Sequence, residues 1–342
     1  MNNSILFDAP MLRSEEILVM ADYIFRRLMK SLLTVFISIT LTFLIIRLMP
    51  ADPVSLMVDP KLSPEVQAQM RSNFGLDKPI YVQFGIYIAN LLKGNLGYSF
   101  KTREPVVLVL LQRLPWTILL MLTTLVISLS VGLPVGIIAA KKRNQIFDRV
   151  VNVLITLSIS IFIPFISFAF LYVFGYRLHL LPTGGAYTPP PSLGFKYILD
   201  IARHSILPTL TLFLGNAATI ILYSRNSMID VLKEDYIRTA FAKGWNDRYV
   251  TRQHALKNAL IPTVTITGLM IGSMMGGAIM TETIYAWPGV GRLIYDAVSA
   301  MDYPVLQGAF LMLSITVVAM NFITDLIVAK LDPRIRLAGG RA

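Results

Sequence analysis

Few residues in this chain are placed to do chemistry. Its 342 residues include no cysteine, which excludes disulfides, thiol catalysis and thiolate metal sites. The histidines, His179, His204 and His254, stand too far apart for a local metal motif. No G-x-x-x-x-G-K-[ST] loop that could cradle nucleotide phosphates is present, nor a G-x-S-x-G elbow or an H-E-x-x-H helix. What stands out is of another kind. Asp325 lies in the last turns of an apolar stretch, where an acid is costly and functional by default. Its nearness to the end of that stretch favours a structural pair with an Arg or Lys over a proton relay. Glu282 and Arg292 flank a turn at Pro288–Gly289, which reads either as an external gate or as an ordinary turn. Gly268, Gly272 and Gly276 recur every four residues, a stripe that lets another helix approach closely and is compatible with lining a pathway. The densest constellation is RNSMIDVLKEDYIRTAFAKGWNDRYVTRQHALKNALI, residues 225–261. It sets Tyr236, Ile237, Phe241, Trp245 and Tyr249 among charges, and an exposed apolar group in a charged loop points to docking on a partner.

The elements that must position these residues follow from composition. Of the chain, 55% is hydrophobic and 15% charged, and the mean hydropathy is +0.63. Average soluble domains carry about 25% charged residues, so a membrane-embedded, all-α fold is expected. Six stretches approach the length of a bilayer crossing: Leu32–Met49, Trp116–Ala140, Val150–Tyr176, Ile206–Tyr223, Pro262–Thr281 and Val305–Ala329. Pro134 and Pro164 predict kinks in the second and third. The net charge of +11 is an orientation signal rather than a nucleic-acid surface. Lys and Arg concentrate in the N-terminal segment, the loop Lys141–Arg149, the loop Arg225–Ile261 and the tail after Ala329, so these share the cytoplasmic side and both termini are cytoplasmic.

On the opposite side, residues 50–114 form a small helical external segment between the first two crossings. Pro64–Phe74 reads as one short helix stopped by Gly75, and Ile80–Leu92 as a second, opened by Pro79 and ended by Gly94. The turn-rich LPTGGAYTPPP, residues 181–191, makes no regular structure. Residues 1–19 read as an extension, either dispensable with a start at Met20 or an interfacial helix; residues 20–342 make up the transmembrane domain. In the 225–261 loop two helices are expected, Met228–Phe241 and Arg248–Leu260. Gly244 breaks them, Asp247 caps the second, and Pro262 starts the fifth crossing.

Residues 234–262, EDYIRTAFAKGWNDRYVTRQHALKNALIP, resemble the cytoplasmic loop of inner-membrane permeases of ATP-binding-cassette importers, most closely the branch for dipeptides, oligopeptides and nickel. GLDKPIYVQFGIYIANLLKGNLGYSF (75–100), LPTGG (181–185), TETIYAWPGVGRLIYDAV (281–298), DYPVLQG (302–308) and LDPRIR (331–336) match that branch in order. The general importer motif starts Glu-Ala-Ala. Here Arg238 holds the Glu position and only Ala240 of the triplet remains, a departure the peptide branch shares. The resemblance implies that Tyr236, Ala240, Phe241, Ala242, Lys243, Gly244 and Trp245 couple to an ATPase subunit. It also implies two ATPase subunits that bind ATP and Mg, a second homologous permease and an extracytoplasmic solute-binding protein, in a multi-pass inner-membrane location. The chain itself would be no enzyme and hold no cofactor. Peptide is the expected substrate, with nickel or oligosaccharide as alternatives within the class. A secondary transporter or channel is the alternative from another class; it would need several intramembrane charges or broken helices.

Overall fold

The computed structural model describes residues 9–48 and 78–331. Among these the chain is helical, apart from loops and one isolated bridge between Tyr98 and Pro105. Helix α1 is Ala9–Leu48, α2 Ile80–Leu92, α3 Val106–Lys141 and α4 Ile146–Ser160. Helix α5, Ile163–Phe170, runs on in π-helical turns over Leu171–Arg177. Helix α6 is Phe195–Leu232, α7 Asp235–Ala242, α8 the short Asp247–Tyr249, α9 Leu256–Ile284, α10 Val290–Ser299 and α11 Tyr303–Leu331.

Segments of α1, α3, α6, α8–α9 and α11 are long and apolar enough to cross a membrane, and the bent pair α4–α5 passes the same test only when taken together, which makes six crossings if the pair is one broken span. The third crossing is the surprise. In place of one kinked rod over Val150–Tyr176, α4 and α5 meet at 98°. Pro164 sits in the first turn of α5, where its missing N–H is harmless and its ring bars continuation from α4. Pro134, Pro208 and Pro262 lie inside continuous helices, so none ends or starts one.

Packing follows small residues. A Cβ on Gly136 of α3 would stand 2.0 Å from the Ser224 hydroxyl of α6, so these two crossings touch backbone to backbone. Helix α9 packs between α6 and α11, and α1 lies along α11. Many large apolar side chains remain uncovered, among them Phe36 and Ile45 of α1 and Val153 and Leu154 of α4, as befits surfaces that meet lipid or other helices. Two buried clusters close the opposite ends. One gathers Ala140, Met228, Ile237, Ala240, Val250 and Ala259. The other gathers Ile46, Val106, Leu110, Val290, Ile294 and Leu306.

Of the segment between the first two crossings, α2 spans Ile80–Leu92 as read, after Pro79 and before Gly94 at φ +73°. Residues 64–74 and the tail 332–342 lie outside the described residues. Helix α1 begins at Ala9 and continues through residue 19 into the first crossing.

Candidate functional site

The 225–261 segment folds differently from its sequence reading. Met228–Leu232 belongs to the end of α6, which stops there, and α7 starts afresh at Asp235. Gly244 takes φ +82°, a left-handed turn that costs an L-residue about 1 kcal/mol or more. The cap is Asn246 rather than Asp247: its side chain accepts from Tyr249 N–H at 2.8 Å. The chain then winds through a π-helical turn, Val250–Ala255, into α9 and on past Pro262. The fifth crossing is therefore a direct extension of this knob.

Burial sorts the knob residues. Ile237 at 0% and Ala240 at 3% exposure are core, packed with Met228 and Val250. Ala240 thus supports the knob from beneath and cannot be part of its contact face. Tyr236, Phe241, Ala242, Lys243, Gly244, Trp245 and Tyr249 are exposed. The exposed rings are ordered against one another. Trp245 stacks on His254 at 4.8 Å and meets Tyr249 edge-on at 5.1 Å. Lys243 Nζ lies 5.9 Å over the Trp245 ring. Asn258 Nδ2 donates to the Tyr236 hydroxyl at 2.7 Å, fixing α7 to α9.

Three ion pairs fasten this end. Arg225 makes a two-pronged bond to Asp148, Nε to Oδ1 at 2.6 Å and Nη2 to Oδ2 at 2.8 Å, joining α6 to α4. Asn144 N–H and Asn152 Nδ2 also donate to that carboxylate. Lys141 Nζ reaches Asp247 at 2.5 Å, tying the end of α3 to the knob. Arg27 pairs with Asp325, the structural partnership expected for that acid, and so brings the start of the first crossing beside the end of the last. Sequence reasoning missed Asp148 and Arg225. The available signal was that Asp148 is the sole acid in the otherwise basic loop 141–149.

At the opposite end, the expected turn residues come together as a buried joint. Glu282 is fully buried and accepts from Thr117 Oγ1 at 2.7 Å and from the N–H of Arg292 at 3.1 Å, at the start of α10. A carboxylate suits that helix start, where unpaired N–H groups gather. Thr117 in turn accepts from Val290 N–H. Gly289 touches the carboxylate directly, Pro288 is half-buried beside it, and the Arg292 guanidinium turns back to the Ala286 carbonyl. Trp287 and Tyr285, both buried, were not singled out in the sequence. Trp287 Nε1 donates to the Trp116 carbonyl at 3.0 Å. The Tyr285 hydroxyl donates to the Ser167 carbonyl at 3.0 Å and lies 2.9 Å from Thr211 Oγ1, and its own carbonyl accepts from Gly185 N–H. One short segment thus grips α3, α5, α6 and the 181–191 loop. Asp302 does similar work nearby, accepting from Ser99 Oγ at 2.5 Å and from Lys101 N–H.

The glycine stripe divides. A Cβ at Gly268 would stand 2.1 Å from Thr324, and one at Gly272 would stand 3.1 Å from Val317, so both seat α9 against α11. Gly276 has nothing within 4 Å.

The sequence profile described as "Binding-protein-dependent transport system inner membrane component" matches residues 132–337, and that of its N-terminal portion matches residues 20–121. The chain belongs to this family. It is a multi-pass inner-membrane permease of an ATP-binding-cassette importer. It is 39% identical over 333 residues to the di/tripeptide transport system permease protein DppB of Pseudomonas aeruginosa (strain UCBPP-PA14), covering 93% of this chain and 99% of that one. It is 38% identical over 317 residues to the glutathione transport system permease protein GsiC of Escherichia coli (strain K12), with 93% and 99% covered. Among solved structures, a chain of the methionine ABC transporter MetNI in inward-facing conformations superposes with a TM-score of 0.54 at 19% identity, over 67% of this permease and 99% of that chain. As an importer permease it works with an ATPase and a solute-binding protein, and its relatives are transport subunits rather than enzymes.

Proposed function

We propose that this permease carries di- and oligopeptides, delivered by an extracytoplasmic binding protein, along a path it forms with a second homologous permease. Two ATPase subunits drive the cycle, and ATP and Mg belong to them. The identities of 38–39% to permeases named for di/tripeptides and glutathione support a peptide substrate. The observation that carries the mechanism is the knob. Its exposed face of Tyr236, Phe241, Ala242, Lys243, Gly244 and Trp245 is ordered, stands on a buried core and leads without a loop into α9.

In this reading the knob sits in a cleft of one ATPase subunit on the cytoplasmic side, with both termini on that side. Nucleotide binding shifts the permease because the cleft grips the knob differently in the ATPase's open and closed states; equal grip in both would shift nothing. The rings bury apolar area on docking, and Lys243 adds a charge at the rim. Glu282, Pro288, Gly289 and Arg292 act at the far end, where they hold the outer ends of the crossings together as an external gate.

Gly244→Asp tests the coupling. The position keeps space around it, and Asp tolerates positive φ better than most side chains, so the change chiefly adds a negative charge to the contact face. The expected result is a permease that inserts and folds, with peptide uptake lost and ATP hydrolysis no longer stimulated by loaded binding protein. Normal uptake by this variant would remove the knob from the drive train. Uptake of nickel or an oligosaccharide in place of dipeptide by the unaltered importer would overturn the substrate.

A further inference from the structure

The right-angled break in the third crossing leaves backbone exposed halfway along it. Among the described residues no backbone N–H bonds to the carbonyls of Ser158, Ile159, Ser160 or Ile161. The hydroxyls of Ser158 and Ser160 make no hydrogen bond there either. In hydrocarbon each such group costs several kcal/mol, so irregular backbone at membrane depth survives only inside protein or beside a wet cavity. A cavity is there. It is an open cleft of about 590 Å³, with Ile159, Ile161 and Phe162 at its exposed edge. The break forms one wall, and Leu212, Gly215, Asn216 and Thr219 of α6 form a second. Met274 and Met280 of α9 complete it.

The wall chemistry is specific. None of the lining residues carries a formal charge. Asn216 spends its Nδ2 on the Leu212 carbonyl and leaves Oδ1 open, and Thr219 donates its hydroxyl proton to the Gly215 carbonyl. The free groups are four carbonyls and an amide oxygen as acceptors, the N–H groups of Phe162 and Ile163 and the second Asn216 Nδ2 proton as donors, and hydroxyls that can turn either way. An extended peptide presents a main-chain N–H and a carbonyl at nearly every residue, whatever its side chains, and so can pair with both kinds of group. Phe162 and the two methionines offer apolar contact, and methionine adapts to irregular shapes. A site without charges holds its occupant loosely, which suits transit rather than storage.

We propose that the cavity at the Ser160–Ile163 break is a transit subsite for peptide main chain, accepting its N–H groups on the break carbonyls and Asn216 and its side chains against Met274 and Met280. This rests on the peptide reading above.

The test uses the complete importer, with both permeases, ATPases and binding protein, in proteoliposomes. The probes are radiolabelled dialanine and an alanyl dipeptide bearing a diazirine side chain. A Cβ on Gly215 meets nothing within 4 Å, so Gly215→Leu fills the cavity without a clash at its base. It should cut dialanine uptake by about tenfold or more, equivalent to a binding change of about 1.4 kcal/mol. Asn216→Ala, which adds no bulk, should raise the KM for uptake. In the unaltered importer the diazirine probe should label residues 158–164, and excess dialanine should suppress that labelling. Labelling elsewhere with the break untouched overturns the proposal, whatever the variants do. So does loss of the second permease from the purified Gly215→Leu complex, which would make the cavity a seat for a neighbouring helix. Failure of the unaltered importer to take up dialanine is a different result and removes the peptide reading itself.

Discussion

At Gly289 a methyl group would lie 2.3 Å from both oxygens of Glu282, whereas at Gly276 it would meet nothing within 4 Å. Two glycines at one end of the same molecule therefore predict opposite outcomes for the same substitution. Gly289→Ala should destabilise the purified permease by about 1–3 kcal/mol, the usual range for overpacking, seen as a lower thermal midpoint in detergent. Gly276→Ala should change it by less than about 0.5 kcal/mol. Equal midpoints for the two would mean that the Glu282 joint is looser than drawn. Glu282→Ala should cost more than either, because it strands the Thr117 hydroxyl and the Arg292 N–H in a buried place.

Among the helices, the ion pairs differ in the same instructive way. The Asp148 and Arg225 side chains are 3% and 14% exposed, against 62% and 31% for Asp247 and Lys141. Asp148→Ala leaves a buried guanidinium without its partner and should cost about 3–5 kcal/mol. Lys141→Ala removes an exposed pair and should cost less than about 1 kcal/mol. Thermal denaturation of the assembled complex reads both. If Asp148→Ala proved as mild as Lys141→Ala, the α4–α6 fastening would not be structural. The sequence showed that these helices exist, through runs of apolar residues, and the bounds of α2 were legible because Pro79 and Gly94 punctuate them. It did not show that α4 and α5 turn a corner at Phe162, nor that Pro262 sits within a helix. A proline marks strain, but whether the chain bends or absorbs it depends on neighbours that no local window contains. The same limit separates Trp245 from Ala240: both belong to one motif, and only the fold shows that one faces out while the other is covered. Asp148 and Arg225 stand 77 positions apart, so their pairing had no local signature.

For the whole molecule, sidedness is the property most readily checked. The pairs Arg27–Asp325, Asp148–Arg225 and Lys141–Asp247 gather the basic segments at one end. The chain has no cysteine, so a single introduced thiol reports without background. Lys243→Cys should react with a membrane-impermeant maleimide only in inside-out vesicles, and Thr102→Cys only in right-side-out cells. The reverse pattern would invert the molecule and separate the knob from any cytoplasmic ATPase. Between those two faces runs α9, whose 29 residues make a rod of about 43 Å at 1.5 Å per residue. One tip grows out of the turn below Trp245, and the other carries Glu282. The rod can give at the extra residue wound into Val250–Ala255, at Pro262, where one backbone bond is missing, and at the glycines around Gly272 and Gly276. If the knob is where the ATPase takes hold, whatever displacement those places do not absorb would be carried along the rod to the Glu282 joint.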